Sequence, residues 1–210
     1  LLLALVVAWL AGLDLRQQFL FSSNSLLWGV IATGPMLVLF ALTYNSTVDA
    51  FKSIKELLFQ LLGKSLSRCR WYDLLYVACL AGVSEEVLFR GVLQYGIDHW
   101  NPTAGLIISS VLFGIAHALT PTYAILAGLL GVYLGLVFKI TGEPNLVPAI
   151  LCHSLYDFIA FMVIRSATRK SDGRLDMTAP REITEENDGS SADSRHRAIE
   201  EPDSDDPQAT

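Results

Sequence analysis

The stretch SEEVLFRGVLQ, Ser84 to Gln94, sets two adjacent carboxylates and an arginine inside a segment, WYDLLYVACLAGVSEEVLFRGVLQYGI (71–97), that otherwise reads as membrane helix. Insertion scales charge about 2.5–3.5 kcal/mol for each ionised side chain at mid-helix, against a gain of roughly 0.3–0.6 kcal/mol for each Leu, Ile, Phe or Val. Three charges outweigh the apolar residues around them, so the helix must turn them toward partners within a bundle. Glu86 and Arg90 are four apart and share one helix face, where they partly neutralise each other. Glu85 points about 100° away from Glu86 and finds no counter-charge in its own segment.

The rest of the sequence divides near Ile164. Of the 15 Lys and Arg and the 21 Asp and Glu in the 210 residues, 8 basic and 9 acidic residues precede that point, leaving a near-neutral region rich in Leu, Val, Ala and Phe. Such composition marks membrane material. After Ile164 come 7 basic and 12 acidic residues among Ser, Thr, Gly and Pro, with no aromatic residue. That segment, 165–210, is expected to be a disordered cytoplasmic tail. The net charge of −6 therefore belongs mostly to the tail and points to no nucleic-acid partner. Cys69, Cys79 and Cys152 are odd in number, lack metal spacing and read as packing residues.

Crossing a hydrocarbon core of roughly 30 Å takes about twenty apolar residues. Beyond 71–97, candidate spans are 26–42, 103–119 (ended by Pro121), 122–140 and 146–164. With LLLALVVAWLAGL at the N-terminus read as a shortened span rather than a signal peptide, the expectation is an all-α, polytopic membrane bundle of six crossings. Between the first two of the later spans, VDAFKSIKELLFQLLGK (48–64) places Phe51, Ile54, Leu57, Leu58, Leu61 and Leu62 opposite Lys52, Lys55 and Glu56. It is an amphipathic helix expected at the lipid interface, with a connector packed on the bundle as the other reading. The organisation is therefore 1–70, N-terminal spans and interfacial helix; 71–164, helical core; 165–210, tail. Basic residues crowd both the 44–70 connection and the segment after Ile164, which makes those sides and both termini cytoplasmic, with the plasma membrane as the expected location. Trp9, Trp28, Trp71 and Trp100 fall near span ends as interfacial anchors, and Gly128, Gly131 and Gly135 read as helix-packing positions.

Few other ionisable residues occur in the spans: His117 in LFGIAHAL, and His153 and Asp157 in LCHSLYDF. Ionisable groups within membranes face a bundle interior or a wet cavity and find one another there. Carboxylates and imidazoles converging from three helices could activate a water, directly or through a metal.

Taken in order, E-E-x-x-x-R (Glu85, Glu86, Arg90), F-x-x-x-H (Phe113, His117) and H-x-x-x-D (His153, Asp157) resemble the CPBP family of intramembrane proteases, which includes the CAAX prenyl proteases and bacteriocin-processing or self-immunity (Abi) proteins. The resemblance covers 71–164 and implies an endopeptidase acting on a membrane-associated peptide or protein substrate. It implies that Glu85 and His117 hold and activate the attacking water and that His153, with Asp157, stabilises the oxyanion. Glu86 matches the second motif glutamate, and Arg90 is expected to pair with it structurally. Prenyl proteases of the family carry Asn where this chain has Asp157, and an ionised Asp cannot donate a hydrogen bond to an oxyanion. It must be protonated, orient His153, or ligate a metal. On cofactors the resemblance leaves two routes open: zinc or another divalent metal held by Glu85, His117 and His153, or a metal-free glutamate mechanism. The HExxH pattern is absent, as are G-x-S-G and G-x-G-D. Two other functions compete: a non-catalytic member acting in bacteriocin self-immunity or assisting a membrane complex, and an ion or proton pathway through the same carboxylates.

One geometric conflict accompanies this reading. Measured along straight helices from the expected span ends, His117 falls about 10 Å deeper than Glu85 and His153.

Overall fold

The computed structural model describes residues 1–178, and within them every regular element is helical. A short α1 (Leu2–Leu10) is followed by a 3₁₀ turn at Leu15–Gln18 and the long α2 (Ser23–Tyr44). The amphipathic region forms α3 (Asp49–Leu58), which passes through a π-helical turn, Phe59–Gly63, into α4 (Lys64–Arg68). The charged segment forms α5 (Trp71–Glu86), a π-helical stretch at Val87–Gln94 and a last turn, α6 (Tyr95–Asp98), without a break. Two shorter apolar helices, α7 (Pro102–Ala116) and α8 (Pro121–Val137), make a hairpin, and α9 (Leu146–Thr178) closes the bundle.

Local chemistry sets these boundaries. Ser22, Asn101 and Thr120 each accept from backbone N–H groups of the helix they precede, and Pro102 and Pro121 occupy first-turn positions that need no N–H donor. Asn145 is buried before α9 and joins the start of two helices. Its Oδ1 accepts from Val147 N at 3.0 Å, and its Nδ2 donates to Leu20 O at 3.0 Å and Ser25 Oγ at 2.9 Å.

Among the described residues, only α2 and α9 are both long and apolar enough to cross a membrane. The 15 residues of α7 and 17 of α8 give about 22 and 26 Å, short of the roughly 30 Å core. α1, with 9 residues, reaches about 13 Å. Of the six expected crossings, two coincide with helices that meet the length and composition of a span. α5 contains Glu85 and Glu86, and the π-helical stretch after it contains Arg90. The exterior is nevertheless apolar: Leu27, Val30 and Val38 on α2, Val111 and Ile115 on α7, and Ile125 and Leu129 on α8 are all exposed. Belts of this kind suit lipid rather than water. All four tryptophans also face outward.

The interior inverts this pattern. Glu86 and Arg90 have no exposure at all, and Gln94 has 1%, so the charges of the opening stretch point into the core. The expected boundary at Ile164 is not a helix end. α9 continues to Thr178, and Arg169 Nε donates to Ser67 O at 2.8 Å, tying the extension to α4. The tail beyond 178, expected to be disordered, lies outside the described residues, as does His196.

Small residues let α7 and α8 approach closely. A Cβ on Gly131 would lie 3.2 Å from Ser110 Cα, and one on Gly114 would lie 2.6 Å from the backbone oxygen of Ala124. Backbone cannot swing aside as a side chain can. Gly114→Ala is therefore expected to destabilise by about 1–3 kcal/mol. At Gly128 the nearest atom is 3.6 Å away, ordinary contact, so Gly128→Ala should be near neutral. Thermal melting of the two variants in detergent checks the contrast; equal melting points would contradict the packing described.

Candidate active site

Glu85 and Glu86 end α5, where the backbone enters the π-helical stretch. Such wide turns recur at functional sites, where extra backbone carbonyls are met by side chains. Here Ser109 Oγ donates to Phe89 O at 2.6 Å and Gln18 Nε2 to Gly91 O at 3.0 Å.

Arg90 is locked within this stretch. Its Nη1 donates to Glu86 Oε1 at 3.0 Å, its Nη2 to Gly131 O at 2.9 Å, and its guanidinium lies 4.6 Å from the Phe113 ring centroid. The expected Glu86–Arg90 pair is present, and Glu86 has a second task that sequence did not suggest. The same Oε1 meets His153 Nδ1 at 2.8 Å, linking α5 to α9. A carboxylate only accepts, so His153 carries a proton on Nδ1 and its Nε2 faces away from Glu86.

His117 lies just past the end of α7 with a non-helical backbone (φ −102°, ψ 16°). Its Nδ1 is 2.9 Å from Phe113 O, and since a carbonyl only accepts, that nitrogen is also protonated. The ring stacks on Phe113 at 4.4 Å between centroids, which gives the F-x-x-x-H spacing a physical meaning. Phe113 thus contributes its carbonyl to one histidine, its ring to the same histidine, and its face to Arg90.

Both imidazoles therefore present Nε2 to Glu85. Its Oε2 lies 3.5 Å from His117 Nε2 and 4.0 Å from His153 Nε2. These separations exceed hydrogen-bond length, and Oε2 is buried with no hydrogen-bond partner. Asp157 Oδ2 is 3.5 Å from His153 Nε2 on the next turn of α9. Sequence-predicted Glu85, Glu86, Arg90, His117, His153 and Asp157 are all brought together.

The depth conflict disappears once the helices are measured from the turn they share. Glu85 lies about 20 Å before Asp98, and His117 about 22 Å after Pro102. The helix from Trp71 to Asp98 is longer than a hydrocarbon core, so its other end was the wrong origin. α9 begins beside Gly91, where Leu146 Cδ1 lies 3.2 Å from the position a Cβ would take, and this brings His153 back to Glu85.

Residues 67–159 match the family model for Type II CAAX prenyl endopeptidase Rce1-like proteins, and all six residues of the cluster fall within the match. Over that stretch, a little under half of its length, the chain is similar to the Rce1-like CAAX proteases. No curated protein and no solved structure matches the chain significantly. The matched family is one of proteases, and α2 and α9 have the length and composition of membrane spans. α1, α2 and α3 precede the domain. Among the described residues no group of three or more His, Cys, Asp or Glu side chains is arranged to hold a metal ion.

Proposed function

We propose that the protein is an intramembrane endopeptidase that hydrolyses a peptide bond with a water activated by Glu85 and His117. One observation carries this reading. A carboxylate oxygen and two imidazole Nε2 atoms converge on one point, each imidazole having its Nδ1 already occupied. Glu85 Oε2 and the Nε2 of a neutral His117 are both acceptors, so the space between them calls for a donor, and a water supplies two protons. Glu85 takes one proton as the oxygen bonds to the substrate carbonyl carbon. The C–N bond then breaks, and the proton returns through Glu85 or His117 to the leaving amine. The developing oxyanion needs a donor, and a His153 protonated on Nε2 supplies it. Glu86 fixes that ring through Nδ1, and Asp157, 3.5 Å from its Nε2, steadies the protonated ring by charge rather than by a hydrogen bond. This gives Asp157 an orienting role that does not require it to donate.

The substrate is a membrane-associated peptide or protein. The test is cleavage of an internally quenched apolar peptide by the purified protein in detergent. His117→Ala should reduce kcat/KM by about 10²-fold or more without lowering the melting temperature by more than a few degrees. Undiminished cleavage would remove His117 from the mechanism. No cleavage by the unaltered protein of any such peptide would favour the non-catalytic reading. A chelator added to the same assay decides the cofactor. Activity that persists supports glutamate and histidine alone. Activity lost and restored by zinc would bring a metal into the reaction.

A further inference from the structure

A groove of about 620 Å³ runs along α9, and none of the six clustered ionisable residues lines it. Its lining changes from Phe158, Ile159, Met162 and Val163 to Ser166 and then Lys170, one stripe on a single helix face. Tyr44, the last residue of α2, forms part of the facing wall. The two helices that bound the groove are the two with the length and composition of a span, so it opens at the depth of lipid. Phe158 to Lys170 covers about 18 Å of helix, against roughly 15 Å for half of a hydrocarbon core. The stripe therefore runs the depth of one leaflet, apolar toward the middle and cationic where headgroups lie.

A second cation stands beside the stripe. Arg165 is half-buried, its Nη1 lies 3.9 Å from Sδ of the groove residue Met162, and its Nε is buried with no hydrogen-bond partner. A thioether is a weak acceptor, so this guanidinium keeps most of its donors unused. Among the described residues neither Arg165 nor Lys170 has a carboxylate within 4.0 Å, whereas Lys52, Arg90 and Lys139 each have one. Arg169, between them in sequence, instead donates its Nε–H to Ser67 O at 2.8 Å and turns toward α4. Side chains on a helix lean toward its N-terminus, so the heads of Arg165 and Lys170 both reach back toward the turn of Ser166. A guanidinium with an orphaned N–H beside an apolar groove is incompletely compensated, and an anion that carries an apolar chain meets both needs.

We propose that the groove is a site for one anionic phospholipid, with an acyl chain along Phe158, Ile159, Met162 and Val163 and the phosphate at the Ser166 turn, held by Arg165 and Lys170. The proposal needs no catalysis and stands apart from the endopeptidase reading. Charge complementarity gives the sign of the headgroup, and the apolar half of the stripe calls for the chain. A peptide suits the groove less well, because its amides would need partners that these four apolar side chains do not supply.

The experiment titrates the purified full chain in detergent with phosphatidylglycerol or phosphatidylcholine and reads bound lipid by native mass spectrometry. One phosphatidylglycerol should be retained, with an apparent Kd about 5-fold or more below that of phosphatidylcholine. Lys170→Gln and Arg165→Gln should each weaken phosphatidylglycerol by about 5-fold, and Arg165→Lys should keep most of the affinity. Ser166→Trp alters an exposed residue and fills the groove without removing a charge, and it should abolish retention. Lys64→Gln and Arg68→Gln, exposed on α4 outside the groove, should leave retention unchanged. Lys170 is exposed, so its replacement reads the site even where an Arg165 variant loses stability. Equal losses from Lys64→Gln and Lys170→Gln would show diffuse surface charge and overturn the proposal. Equal retention of the two lipids, insensitive to both cations, overturns it as well. So does sn-glycerol 3-phosphate competing as well as the intact lipid, which would make the site one for free phosphate.

Discussion

Glu85→Gln should lower kcat/KM for peptide cleavage by about 10²–10⁴-fold, the range set by removing a positioned general base. It should do so without cost to the fold. The Glu85 Oε2 atom has no hydrogen-bond partner, so no native bond is lost when its charge is removed. A glutamine amide placed there can donate to His117 Nε2, which the carboxylate cannot, so the melting temperature should stay level or rise. Catalytic sites commonly hold such local destabilisation, in which a group is kept unsatisfied until substrate or water arrives. The pairing of lost activity with unchanged or raised stability separates a reacting group from a structural one. A variant that retained full activity would require another base, and one that unfolded would show Glu85 to be structural.

The charges of the opening stretch were legible from sequence because desolvation left one option: Glu86 and Arg90 had to turn inward, and both are fully buried. Spacing gave their mutual pairing, since i and i+4 positions meet on one helix. It could not give the contact between Glu86 and His153, which joins two helices far apart in sequence. The position of His117 was hidden for a different reason. Depth estimates assume that each helix starts at a membrane surface, whereas α7 starts beside α6, the last turn of one continuous helix from Trp71 to Asp98. The extension of α9 past Ile164 was missed because burial, not helicity, was the criterion applied. A helix leaving lipid needs no apolar face, and here one hydrogen bond from Arg169 to Ser67 O holds it to α4. The amphipathic helix α3 packs on the bundle through the buried Ile54, as the connector reading of 48–64 has it.

Arg90→Met is expected to be the most destabilising change of the cluster. It strands the Glu86 carboxylate in a site with no exposure, and breaking a buried pair by removing one partner typically costs about 3–5 kcal/mol. Gly131 O loses its donor as well, so the α5 to α8 contact weakens with the charge. Arg90→Lys should recover only part of the loss, because an ammonium cannot donate from two separated nitrogens to Glu86 and Gly131 O together. The informative variant is the double replacement Glu86→Leu with Arg90→Met. With both charges removed, no uncompensated ion remains, and stability should return close to that of the unaltered protein, since apolar replacement of a whole buried pair is often neutral. Activity should not return. His153 Nδ1 loses its acceptor in the double variant, so the ring is free to turn and no longer presents Nε2 toward Glu85 and Asp157. Melting curves and peptide cleavage measured on all four proteins of the cycle check both halves. A double variant that is stable and fully active would show that Glu86 serves the fold alone. One as unstable as Arg90→Met would show that the pair contributes more than mutual neutralisation of its charges.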